Sequence, residues 1–173
     1  MYDEHLLKVL TNIHGDPGAL AQLRRGLGKS IGEAPDTWQY VIPLGYGKQY
    51  REDAAFATLT LFAAHQQGQG TFVHAPSQPL GMACRHLLGV PGASVSIERR
   101  FVSAIEADEV GELANRLRGL VTMLRSHRIQ LDYLQLFNDL STWNVHDRRI
   151  RTRRHWARQF YSLPATTEPK EQA

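Results

Sequence analysis

A single cysteine, Cys84, rules out an intrachain disulfide and any metal site built from several thiolates. That scarcity agrees with a reducing compartment. No apolar run approaches the length needed to cross a bilayer. The opening stretch MYDEHLLKVL carries acids where a secretory leader carries basic residues, so a cytoplasmic location is expected. Neither HExxH nor a glycine-lysine phosphate loop is present. No alternating apolar pattern runs for more than a few residues, which leaves little for a sheet, and no internal repeat is visible. Lysine is scarce too. Lys8, Lys29, Lys48 and Lys170 are its only occurrences, against sixteen arginines.

What is present is arginine, unevenly placed. Residues 1–98 carry a net charge of −1, residues 99–161 a net +5, and the remaining tail −1. The densest stretch is Asn115–Tyr161, with arginine at 116, 118, 125, 128, 148, 149, 151, 153, 154 and 158. Only Asp132, Asp139 and Asp147 oppose them there. Arginine's planar fork grips phosphate oxygens in pairs, whereas lysine offers a point charge. A helical segment dense in arginine therefore points to a rigid surface for a polyanion. The plainer reading is a solvated basic face with salt bridges to Asp132 and Asp139.

Periodicity predicts helices throughout. The first spans residues 3–13, and the second spans Pro17–Leu27, capped by Asp16 and opened by proline. Residues 28–49 are broken by glycine and proline around an aromatic piece, DTWQYVI, whose Trp38 and Tyr40 are expected in the core. Glu52–Gln67 is largely apolar and should be central, with His65 at its solvated or hydrogen-bonded rim. Pro79–Leu88 follows, and Gly89–Gly92 marks the expected domain boundary. A helix from Ser94 or Ser96 comes next, then Glu109–Ser126 with Asp108 as its cap. Leu131–Trp143 is apolar nearly all round, with Asp132, Gln135 and Asp139 on one polar edge. Asp147–Tyr161 is last, and the segment from 162 to 173 reads as a disordered tail. The expected architecture is all-α, two small packed helical bundles over residues 1–92 and 93–161.

Helical phase sorts the arginines. Arg118 and Arg125 lie seven apart on one flank of their helix, with Thr122 between them. Arg151, Arg154 and Arg158 project from one side of the last helix, with Arg148 at its margin, while Arg149 and Arg153 fall near Trp156. Arg24 and Arg25 sit where a helix dipole already favours cations. Catalytic patterns fail. The pair His146-Asp147 lacks the later aspartate that helical metal-dependent phosphohydrolases need. Cys84 has no positioned base and reads as core. Capping and dipole complementarity account for Glu106, Asp108, Glu109 and Glu112. No catalytic residue, metal ligand or cofactor is expected. A free-standing helical DNA-binding regulator is the alternative to a backbone-binding subunit.

The segments GALAQLRRG, LFAAHQQ, PLGMACRHLL, SIERRFVSAIEAD, LRGLVTMLRSHRIQLDYLQLFNDL, a tryptophan and WARQFY occur here in an order that resembles the CasB family. That family is the small subunit of the type I-E CRISPR interference complex, Cascade. The resemblance covers roughly Gly18–Tyr161. It implies two helical bundles without enzymatic activity, present as two copies beside the guide-RNA filament and the large subunit. Its implied partners are guide RNA, target DNA, the large and backbone subunits and a second copy of itself. The implied role is to hold target and displaced strands open as an R-loop. By motif it adds Arg24 and Arg25 in QLRRG, Arg99 and Arg100 in ERR, Arg118 in RLRG, and Arg148, Arg149 and Arg151. Arg125, Arg154 and Arg158 rest on helical phase alone. The family often has two basic residues where this chain has Arg118-Gly119.

Overall fold

The computed structural model describes residues 2–92 and 94–162, and they form helices joined by short turns. The expected tail lies outside them, apart from Ser162. In order these are α1 (Tyr2–His14), α2 (Pro17–Gly26), α3 (Trp38–Gly45), α4 (Gln49–Gln66) and α5 (Leu80–Leu88). They continue with α6 (Ser94–Ile105), α7 (Val110–Ser126), α8 (Tyr133–Ser141) and α9 (His146–Tyr161). No strand occurs among the described residues. A lone parallel bridge joins His74 to Leu131. The all-α expectation is borne out.

Local chemistry explains most boundaries. Asp16 Oδ1 accepts from the backbone N–H groups of Gly18 and Ala19 at 2.9 and 3.0 Å, which fixes the start of α2 as expected. The stretch expected to be broken instead holds two 3₁₀ turns, Ile31–Glu33 and Pro35–Thr37, that run into α3. Proline opens the second turn, and Pro43 falls in the last turn of α3, where little helix remains to disrupt. Trp38 departs from expectation. It is 44% exposed, its Nε1 donating to the Ile31 carbonyl, because α3 turns Val41 and Leu44 inward instead. Tyr40 is half-buried and donates to Gln22 Oε1.

Helix α4 is the axis of the molecule. Every residue from Ala54 to Ala63 is buried, so it is enclosed on all sides. It packs against α2, α3, α7 and α8. Helix α5 lies against α9 and α6. One apolar core therefore runs from Leu6 through Phe62 to Phe160, continuous across Gly89–Gly92. Each large side chain closed into it contributes about 1.5–3 kcal/mol.

Helix α8 is shorter than the sequence pattern suggests, and the reason is Asp132. Its Oδ1 caps α8 by accepting from Gln135 N, while its Oδ2 accepts from Ser77 N at 3.0 Å. Asp132 is thus a knot between two loops, not part of a polar helix edge. Leu131 hydrogen-bonds through its backbone to Val73 and Ala75. Behind it, His65 is buried rather than at the rim, with Nδ1 3.0 Å from the Tyr133 hydroxyl. Burial chiefly, and then the Arg125 charge, hold His65 down at about 4, against the upward pull of the Ile129 carbonyl. His74 is also lowered by burial, with Asp132 and the Leu131 backbone opposing.

Candidate nucleic-acid interface

Four of the expected arginines converge. Arg24 and Arg25 leave the last turn of α2, Arg118 and Arg125 leave α7, and Ala64 and Gln67 close the floor from the end of α4. The open groove between them measures about 640 Å³. The Arg24 and Arg118 guanidinium groups have no hydrogen-bond or ion-pair partner among the described residues. Arg25 meets Asp36 at 3.3 Å, a solvent-exposed pair that contributes little and competes weakly with a phosphate. Arg125 is half-buried and anchored, its Nη1 donating to the Ala64 carbonyl and Gln67 Oε1 at 3.2 and 2.9 Å. Thr122 stands between Arg118 and Arg125, as the helical phase predicts.

A second cleft of about 380 Å³ lies between α6 and α7, lined by Arg99, Arg100 and Arg116. Arg99 and Arg100 are exposed. Arg116, absent from the sequence-based candidates, donates to the Ser103 carbonyl and pairs with Glu112. Its four-residue offset from Glu112 was legible in the sequence, but the α6 carbonyl that it reaches was not. Gly119 admits Arg100: a Cβ there would stand 2.7 Å from Arg100 Nη1. The space beside the position after Arg118 is thus occupied by a guanidinium from α6.

Helix α9 divides as its phase requires. Trp156 and Phe160 are buried, Trp156 stacked on Trp143 with centroids 5.3 Å apart. Arg148, Arg151, Arg154 and Arg158 lie on its outer side, all four exposed. Arg149 and Arg153 turn inward, over Trp143 rather than Trp156. Arg153 donates to the Glu106 and Ala107 carbonyls and to Asp108 Oδ1, and lies 5.6 Å from the Trp143 ring centroid. Arg149 donates to the Trp143 carbonyl and sits 3.4 Å from Asp108. Asp108 is therefore not a helix cap. It ties the α6–α7 turn to α9.

The acids expected to answer the arginines do otherwise. Asp139 accepts from Trp156 Nε1 at 2.8 Å and from Gln135 Nε2. Burial raises its pKa, and those two hydrogen bonds oppose the rise. Asp132 serves backbone N–H groups. Neither pairs with an arginine, which leaves the outward guanidinium groups to solvent or ligand.

Cys84 is fully buried, and burial pushes its thiol up to about 12, far from a nucleophile's range. Among the described residues no three His, Cys, Asp or Glu side chains gather as a metal ion would require. No described helix is long and apolar enough to cross a membrane.

The family model for CRISPR-associated protein Cse2 matches residues 19–161. The chain belongs to that family. Solved structures agree with the assignment. CasB from Thermobifida fusca is 29% identical, with 93% of this chain and 96% of that chain covered and a TM-score of 0.76. CasB from Thermus thermophilus is 28% identical over 93% and 98%, with a TM-score of 0.74. A chain of a CRISPR RNA-guided surveillance complex shares the fold at 21% identity, 92% and 93% coverage and a TM-score of 0.73. No curated protein sequence matches the chain. The CasB resemblance read from the ordered motifs is borne out, and with it the all-α fold.

Proposed function

We propose that this Cse2-family chain is the non-catalytic small subunit of a type I-E CRISPR Cascade complex. In this reading it binds nucleic-acid backbone without sequence preference and stabilises the R-loop, holding target and displaced strands. One observation carries the reading: Arg24, Arg25, Arg118 and Arg125, from two separate helices, surround one open groove. Phosphate contacts need donors fixed on rigid elements at spacings that several can use together, and they carry no sequence information. R-loop formation is nearly balanced, so a few such contacts suffice to tip it.

Arg99 and Arg100 extend this surface across α7. Arg148, Arg151, Arg154 and Arg158 form a separate outward row on α9, suited to a second strand or to a neighbouring subunit. Arg149 is assigned a structural role because its guanidinium is committed to Trp143 and Asp108. The partners in this reading are guide RNA, target DNA, the large and backbone subunits and a second copy of the chain. The fold shared with a chain of a surveillance complex supports this placement.

The test is Cascade reconstituted with the wild-type chain, without it, or with the Arg24→Ala/Arg118→Ala variant, scored for opening of a target duplex. The expected result is weakened opening for the variant. The salt dependence of single-strand binding should also flatten, by about 0.7 in log–log slope per lost phosphate contact. A many-fold preference for one duplex sequence at physiological salt would overturn the reading in favour of a regulator.

A further inference from the structure

Beside the arginine groove lies a smaller cavity of about 240 Å³, between the Leu27–Ile31 turn, α4 and the start of α7. Phe56, Ala57 and Val110, all buried, form its apolar walls. Three polar side chains face it: Asp53 from α4, Asn115 from α7 and Asn144 from the turn before α9. None of the three has a hydrogen-bond or ion-pair partner among the described residues. Asn115 and Asn144 are exposed and Asp53 is half-buried, so their polar edges are open to a ligand that replaces water.

The cavity and the groove meet at Gly28. A Cβ there would lie 3.8 Å from Asn115 Oδ1 and 3.9 Å from Arg118 Nη1. Gly28 also adopts φ +87°, which keeps side-chain bulk out of the passage. A strand whose phosphates meet Arg118 thus has a base-sized recess within one nucleotide's reach. Its volume is below the roughly 300–1,000 Å³ of drug-sized sites, and a single ring system suits it better than a whole nucleotide.

We propose that this cavity receives one unstacked nucleobase from the strand held by the arginine groove, with guanine as its best occupant. The proposal rests on the backbone-binding reading above. The chemistry of the rim selects the base. Asp53 and Glu109 make the rim acidic against Lys29 alone, which disfavours a phosphate and favours N–H donors. Guanine presents N1–H and an exocyclic amino group side by side, a pair that one carboxylate accepts in full. Adenine and cytosine offer one amino group beside an acceptor, and thymine a single imide N–H. Asn115 and Asn144 supply carboxamides for the remaining edge. Phe56 and the aliphatic walls supply the contact surface that an unstacked base needs. Burial, with the neighbouring Glu52 charge adding to it, raises the Asp53 pKa, and paired donors would relieve that penalty.

The full chain is tested with an oligodeoxythymidylate of about 15 nucleotides carrying one central guanine, or an abasic site at the same place. Two variants accompany the wild type. Gly111→Leu fills the cavity mouth, where a Cβ meets only open space, and a leucine there favours the helix. Asp53→Asn removes the carboxylate. The wild type should bind the guanine oligonucleotide at least about fivefold more tightly than the abasic one. In both variants the ratio should fall to about one, with abasic binding unchanged. Equal binding of the two oligonucleotides by the wild type overturns the cavity proposal and leaves backbone binding standing. A guanine preference that survives both variants overturns the location, and tighter binding of another base overturns the choice of guanine. Failure to bind either oligonucleotide overturns the backbone reading and this proposal with it.

Discussion

Helices α7 and α9 are both rich in arginine, yet they use it in different ways. On α7, Arg118 reaches into a groove without a partner among the described residues, and Arg125 is held by only one of its terminal nitrogens. On α9, Arg149 and Arg153 are turned inward and clamp the α6–α7 turn, while Arg148, Arg151, Arg154 and Arg158 face outward. Residue type is the same in all of these. What differs is helical phase and the carbonyl groups that the phase brings within reach. Basic charge therefore measures neither stability nor binding until each guanidinium has been followed to its acceptor.

Acid should have the largest effect, and it acts through a histidine on the groove side. His65, beneath the α4–α7–α8 seam, has its folded pKa depressed from 6.5 to about 4. Between those values the unfolded chain takes up a proton that the folded chain refuses, so stability falls as pH drops through that window. The loss is on the order of 3 kcal/mol, because a tenfold difference in proton affinity is worth about 1.4 kcal/mol. Thermal unfolding across that range should show it, and His65→Gln should flatten the dependence.

Next in size is the inward pair on α9. Arg149→Ala/Arg153→Ala should lower unfolding free energy by about 2–3 kcal/mol, since several charge-assisted hydrogen bonds to carbonyls are lost. Arg154→Ala/Arg158→Ala should stay within about 0.5 kcal/mol of wild type. Equal losses in urea titrations would erase the distinction between the two faces.

The docking of α9 on α5 comes third. A Cβ at Gly81 would press into the Trp156 carbonyl oxygen and stand 2.8 Å from Gln159 Cβ. Backbone cannot yield as a side-chain tip can, so Gly81→Ala should cost about 1–3 kcal/mol, read from the same titrations. Gly119→Ala is its small counterpart on α7. The atom it meets is the mobile end of Arg100, so stability should move by less than about 0.5 kcal/mol. Displacing that guanidinium should instead weaken single-strand binding a few-fold, measured by fluorescence anisotropy.

Much of this was legible in advance, and the misses share a cause. Arg118, Thr122 and Arg125 fall on one flank because helical rotation is set locally. Arg151, Arg154 and Arg158 follow from the same rule. Helix α3 was missed because proline and glycine around it signal breaks, while tertiary packing of Val41 and Leu44 holds it together. His65 was placed at a rim because its helix ends there, yet Tyr133, 68 positions later, covers it. Asp132 and Asp139 looked like partners for arginine on charge alone. Backbone N–H groups and the Trp156 indole reached them first.

By itself, then, the sequence determined the helices, the inward stripe of each, the division of α9's arginines into two faces and the membership of the Cse2 family. All of these depend on neighbours within a turn or two, or on the order of motifs along the chain. Only the tertiary structure decided that Arg24 and Arg25 meet Arg118 and Arg125, far along the chain. It also decided that Asp108 would bind α9 and that Asp53, Asn115 and Asn144 would ring one cavity. Those meetings are set by how α4 is enclosed, and the closure of long loops around a buried helix leaves no periodic trace in the chain.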